Sequence, residues 1–314
     1  MAILIKPDSL RALDVTVRTA FMDAYGSTAY TPRYPGVATV QPSGSAKNIY
    51  PSMIDAASVR EWVGERVINP LVLEGASVTN QKWELTYSVQ RDALDDDQSG
   101  AVGMLMSRVR SGGGKFLRHK DKLVFTVLKA NATCLDGVAL FNGSHPVNPK
   151  DAGAGTFDND IGTTALTANN AAAVRASMME LKGPDGDPIN ENPRLIIVPP
   201  ALELTARKIA EADEIVFSGN ANESNVFKGQ YDVIVVPQLA ASFASGSDTT
   251  WYMADVSDAE DRGLIMQERE AVEITSLFSL TDPQVFTRDE YQWGARARYV
   301  AAAGNPKKIF RCTA

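Results

Sequence analysis

The sequence predicts an α+β fold. Three observations carry it: apolar and polar residues alternate over 81–90 and again over 290–299, a helical residue pattern runs from about 93 to 131, and helical stretches alternate with short all-apolar ones between about 165 and 250. With 314 residues, 44% of them hydrophobic and 22% charged, the chain can bury a real core in one large or two ordinary domains.

Asp8 or Ser9 can cap a first helix, in which Leu10, Leu13, Val17 and Phe21 form one apolar stripe that needs a partner surface. Residues 26–44, with Pro32, Pro35 and Pro42, read as an extended arm. EWVGERVINPLVLEG and VTNQKWELTYSVQ read as two strands of a long ribbon bent between Gly75 and Asn80, with Trp83, Leu85, Tyr87 and Val89 on one face. No neighbouring stretch reads as a third strand, so the ribbon is expected to reach another part of the molecule or another molecule. The long helix follows, with a kink or break expected at Gly112-Gly113-Gly114 because each glycine costs about 1 kcal/mol relative to alanine. LDGVALFNGSHP reads as a strand and a turn, and 147–165 as a loop. A helix over 167–182, the buried strand RLIIVPP, the helix ALELTARKIAEADE and the strand YDVIVVPQL make a mixed block. The half-buried strand carrying Tyr291, Trp293, Ala295, Ala297 and Tyr299 comes near the end.

Several chemistries are excluded by counting. Asp95, Asp97, Ser99 and Gly100 fit positions 1, 3, 5 and 6 of a calcium loop, but the required glutamate at position 12 is Met106. The aspartates are therefore expected at the positive end of the long helix. SGGGK at 111–115 fails the phosphate-loop pattern at Val109 and at Phe116. HExxH, CxxC and GxSxG do not occur, and two histidines with two cysteines make no convincing zinc site. No catalytic, cofactor or metal site is expected. The enzymatic alternative is a cytosolic Cys/His hydrolase built on Cys134, Asp136 and His145, which no flanking signature supports. Two cysteines, no apolar run long enough to span a bilayer and a start, MAILIKPDSL, too short in apolar residues for a signal segment lead to the expectation of a cytoplasmic protein without a membrane partner. A net charge of -7 argues against a dedicated nucleic-acid binder. Arg108, Arg110, Lys115, Arg118, Lys120 and Lys122 nonetheless cluster against Asp121 alone, either as helix-dipole and salt-bridge partners or as a patch for phosphate.

Taken together, REWVGERVI, VTNQKWELTYSVQRDALDDDQSG, DKLVF, CLDGVALFNGSHPV, FKGQYDVIVVPQL, TTWYMADV and VFTRDEYQWGARARY resemble, in that order, segments of the Mu-like prophage major head subunit family. The resemblance runs from about residue 55 to 300 and departs at residues 1–50 and at Gly112–Gly114. It implies the Hong Kong 97-type capsid fold, divided into an N-terminal helix and arm (1–55), an extended β-hairpin loop (56–92), a peripheral domain with the spine helix (93–164), an axial domain (165–275) and return strands of the peripheral domain (276–314). It also implies a major capsid protein that assembles with itself into hexamers and pentamers around double-stranded DNA, bound without sequence preference. Portal, scaffolding or decoration proteins are expected partners, with assembly in the bacterial host cytoplasm and residence in the virion. A gene-transfer particle or an encapsulin-like compartment would share the fold. Expected subunit contacts are Trp62, Val67, Leu71, Trp83 and Tyr87 as apolar anchors and Arg60, Glu61, Glu65, Arg66 and Arg91 as charges, with Arg118 and Lys120 facing DNA.

Overall fold

The computed structural model describes residues 7–51, 61, 75–96, 100–134, 136–148, 152–215, 223–279 and 281–314. The first part of the chain forms α1 (Pro7–Tyr25), β1 (Ala38–Pro42), β2 (Lys47–Pro51), β3 (Gly75–Thr79), β4 (Gln81–Gln90), α2 (Arg91–Asp95) and α3 (Ala101–Lys129). Short pieces follow: β5 (His145–Pro146), β6 (Thr156–Phe157) and β7 (Asp160–Ile161). The mixed block holds α4 (Ala168–Met179), β8 (Leu195–Val198), α5 (Glu203–Glu211), β9 (Glu214–Ile215), β10 (Glu223–Ser224), β11 (Asp232–Val235) and β12 (Trp251–Ala254). The chain closes with β13 (Leu264–Leu277), α6 (Pro283–Arg288), β14 (Glu290–Ala303) and β15 (Ile309–Cys312).

Two sheets organise these elements. The first has the order β1-β13-β14-β4, with β1 parallel to β13 and the other pairs antiparallel. Period-two alternation puts Trp83, Leu85, Tyr87 and Val89 of β4 on one face beside Ala297, Ala295, Trp293 and Tyr291 of β14. That face is covered by α3 and α1, whose Leu10, Val17 and Phe21 are buried in the same core. The second sheet has the order β11-β8-β12-β15-β7. Ile196 and Val198 of β8 join α4 and α5 in one core, whereas Leu195 and Ile197 join the core of the first layer. Burial on both faces is why LIIV carries no polar residue. At one end of this sheet Lys308 pairs with Glu191 at 2.6 Å, beside Asp255. Burial, then the neighbouring Asp255, push the Glu191 carboxyl up to about 7.

The structure corrects several sequence expectations. Among the described residues β4 lies along β14, a strand distant in sequence, with Gln90 opposite Glu290, while residues 62–74 of the expected ribbon partner lie outside the described residues. The local pairing at this place is between β2 and β3, which residues 52–74 connect. The arm is packed, since β1 extends the first sheet and Tyr34, Val37 and Ala38 are buried. The described residues of LDGVALFNGSHP form turns, an isolated bridge from Ala139 to Thr133 and the short β5. A boundary at residue 275 cuts β13, which belongs to the first sheet, and β15, expected to return to the first layer, lies inside the second. Of the aspartates expected at the start of α3, Asp95 ends α2 and Asp96 caps its C-terminus, Asp97 lies outside the described residues, and Gly100 is the N-cap of α3.

The helix α3 is continuous through Gly112–Gly114. A Cβ at Gly113 would stand 2.5 Å from the Phe21 carbonyl oxygen and 3.0 Å from Ala24 Cβ, and one at Gly112 would strike the Tyr87 hydroxyl. The first two glycines thus admit α1 on one side and β4 on the other, and tertiary packing outweighs their helix penalty. At Gly114 nothing lies within 4 Å of the added carbon. Denaturant unfolding therefore separates two of them: Gly113→Ala is expected to lose about 2 kcal/mol or more by overpacking against backbone, whereas Gly114→Ala gains up to about 1 kcal/mol.

Candidate assembly surfaces

The inward face of α3 gathers the charged groups that fix the first layer. Asp121 is fully buried. Its carboxylate accepts the backbone N–H of Tyr34 at 2.7 Å and of Arg33 at 3.0 Å, and the Tyr30 hydroxyl. Lys120, expected to face DNA, is also buried and takes another role: its ammonium pairs with Glu268 of β13 at 2.6 Å and lies over the rings of Tyr34 and Tyr299. Burial works against that ammonium, but the hydrogen bond and charge of Glu268 outweigh it and raise the Lys120 pKa. His119 Nδ1 lies 2.9 Å from the Tyr299 hydroxyl, and its ring packs edge-on against Trp83. Burial and then Lys122 lower the His119 pKa, so the neutral ring suits acceptance from the Tyr299 hydroxyl.

The outward face differs. Arg108, Lys115, Arg118 and Lys122 are exposed, and their i, i+7, i+10, i+14 spacing puts them on one side of the helix. At 1.5 Å per residue they form a basic stripe about 21 Å long. Arg118 stacks over the Tyr30 ring at 5.5 Å, which holds its guanidinium at the surface. Among the described residues no carboxylate pairs with these four side chains.

Of the expected subunit contacts, Arg60, Trp62, Glu65, Arg66, Val67 and Leu71 lie outside the described residues, and Glu61 is exposed. Trp83 and Tyr87 are half-buried against α3 of their own chain, Trp83 donating its indole N–H to the Tyr299 carbonyl at 2.9 Å. One side of Trp83 remains open in a groove with Glu84, Leu85, Lys115, Phe116 and His119. Arg91, expected to pair across a subunit boundary, meets Asp289 of the same chain, with 3.8 Å between the charged atoms and 2.9 Å between its backbone N–H and the Asp289 carbonyl.

Cys134, Asp136 and His145 do come together, helped by the bond from the Gly137 N–H to the Cys134 carbonyl and by the short pairing of β5 with β6. The thiol donates to Asp136 at 2.7 Å, not to the imidazole. Burial first, then that hydrogen bond, push the Cys134 thiol up to about 12. A nucleophilic cysteine needs the opposite, a thiolate favoured by a neighbouring base or cation.

Residues 10–165, 161–239 and 240–312 match the sequence profile of the family described as Mu-like prophage major head subunit gpT. The chain belongs to that family. It is 31% identical over 145 residues to the Mu-like prophage FluMu major head subunit of Haemophilus influenzae, covering 46% of each chain. It is 30% identical over 158 residues to the major capsid protein of Escherichia phage Mu, covering 50% of each. The matched region thus spans about half the length of these curated relatives. Among solved structures, the procapsid of bacteriophage JBD30 is similar over 99% of this chain and 76% of its own, with a TM-score of 0.55 and 26% identity. The chain accordingly has the Hong Kong 97-type capsid fold, as the sequence implied. Among the described residues no helix is long and apolar enough to cross a membrane.

Within this family fold, Asp121 ties the chain after α1 to the spine helix α3. Asp121→Asn leaves an amide where a carboxylate accepted several donors, and is expected to destabilise the subunit by about 2–3 kcal/mol. A thermal or denaturant midpoint equal to wild type would show that the turn at Tyr30–Tyr34 docks without it.

Proposed function

We propose that this chain is the major capsid protein of a tailed bacteriophage and that copies of it assemble into the icosahedral shell enclosing double-stranded DNA. The observation that carries the reading is the family match from residue 10 to 312, joined by similarity to a phage procapsid over nearly the whole chain. Repeated heterologous contacts between identical subunits would build hexamers and pentamers. Residues 56–92, with Arg60, Glu61, Trp62, Glu65, Arg66, Val67, Leu71 and the open side of Trp83, are the proposed contact region, whereas Tyr87 packs against α3 of its own chain. Portal, scaffolding and decoration proteins are proposed partners, the bacterial cytoplasm the place of assembly and the virion the final location.

The stripe of Arg108, Lys115, Arg118 and Lys122 is the proposed lining toward the genome, replacing a pair in which Lys120 took part. Four exposed cations on a chain of net charge -7 localise positive charge where phosphate must be met, without reading bases. A catalytic role is not proposed, since the one candidate nucleophile is a buried, protonated thiol.

Expression of the chain, with a scaffold from a related phage if needed, followed by size-exclusion chromatography and electron microscopy tests the reading. Particles tens of nanometres wide are expected; a monomer or dimer under every condition contradicts it. In particles that package DNA, Arg118→Glu with Lys122→Glu is expected to leave shells intact while weakening DNA retention and its salt dependence. Unchanged retention and salt slope would remove the stripe from the proposal.

A further inference from the structure

The buried cluster of Cys134, Asp136 and His145 has no part in the surfaces above, and its geometry points to a divalent-metal site of the zinc class. Sγ of Cys134, a carboxylate oxygen of Asp136 and a ring nitrogen of His145 lie within 4.8 Å of one another. Tetrahedral zinc, with bonds of about 2.0–2.3 Å, requires ligand separations of roughly 3.3–3.8 Å, so small side-chain shifts complete the set. Thiolate, imidazole and carboxylate are all ordinary zinc donors, and a water or the second Asp136 oxygen would take the fourth position.

The surroundings of His145 support a ligand role. Its Nε2 faces the Leu140 carbonyl at 3.1 Å, leaving Nδ1 directed at Asp136 at 2.7 Å. A ring whose far nitrogen is held by a backbone carbonyl while the near one points into a donor cluster is the usual setting of a metal-bound histidine. Phe157 stacks on the ring with centroids 5.2 Å apart and fixes its plane, and Asn159 Nδ2 donates to the same Leu140 carbonyl at 2.7 Å. The imidazole itself is fully buried.

Cys134 Sγ and His145 Nδ1 each stand 2.7 Å from an oxygen of Asp136. A dication held by the Cys134 thiolate, the Asp136 carboxylate and a neutral His145 ring makes a set with no net charge, which suits a buried site. The ion would join the turn after α3 to β5.

The inference does not depend on shell formation and is tested on the full chain, assembled or not. After chelator treatment and refilling, elemental analysis is expected to find about one zinc per chain, and zinc is expected to raise the melting temperature by several degrees. Cobalt in its place is expected to give thiolate-to-metal charge-transfer absorption. Cys134→Ser, close in shape and still able to donate to Asp136, is expected to lose the cobalt band and the zinc-dependent shift. Zinc uptake at background level, no charge-transfer band in the wild-type chain, or equal zinc response in Cys134→Ser would each overturn the site. Should Cys134→Ser fail to fold, the wild-type cobalt spectrum decides alone.

Discussion

Asp121 is a carboxylate with no access to water, placed two-thirds of the way along the spine helix. An unsatisfied charge there would cost several kcal/mol, and the donors that satisfy it are Tyr30, Arg33 and Tyr34 from the segment just after α1. That segment must therefore fold onto α3, which delivers β1 to the edge of β13. The adjacent Lys120 reaches Glu268 on β13 and repeats the constraint from the other side. Helix, arm and sheet consequently form one unit, held by charge at Lys120 and Asp121 and by the close approach at Gly112 and Gly113 about two turns earlier.

This arrangement divides the spine helix into two jobs. Its inward side is committed to the subunit through Leu105, Val109, Phe116, Val124 and Leu128, so the outward side is free to carry like charges without disturbing the core. A shell subunit needs that division. Under the proposed function the fold must survive alone long enough to assemble, while outward surfaces stay available to other copies and to the proposed DNA partner. Arg118, stacked over Tyr30, connects the two, because the tyrosine that positions it also donates to Asp121.

Much of the fold was legible in the residues. Alternation in β4 and β14 revealed which faces are buried, and the all-apolar LIIV revealed a strand covered on both sides. Pairing was less legible, since alternation states a face and not a partner, and nothing in the sequence of β4 pointed to β14 as its neighbour. Glycine propensity predicted a break that packing overrode at Gly112 and Gly113. The same limit affected charge: Lys120 and Arg118 are two residues apart, yet helical geometry buries one and exposes the other. The grouping of Cys134, Asp136 and His145 was legible in the sequence, but not that the thiol would donate to Asp136 in place of the imidazole. The resemblance of ordered segments carried the family assignment where no single motif could.

A cryo-electron microscopy map of particles formed by this chain tests the account most directly. The account predicts an icosahedral lattice in which every subunit keeps α1 on its own α3 and β4 on its own β14, with residues 52–74 reaching a neighbour and the basic stripe facing the interior. A chain that never forms particles, or a map in which a neighbouring copy supplies α1 or the strand beside β14, would contradict it.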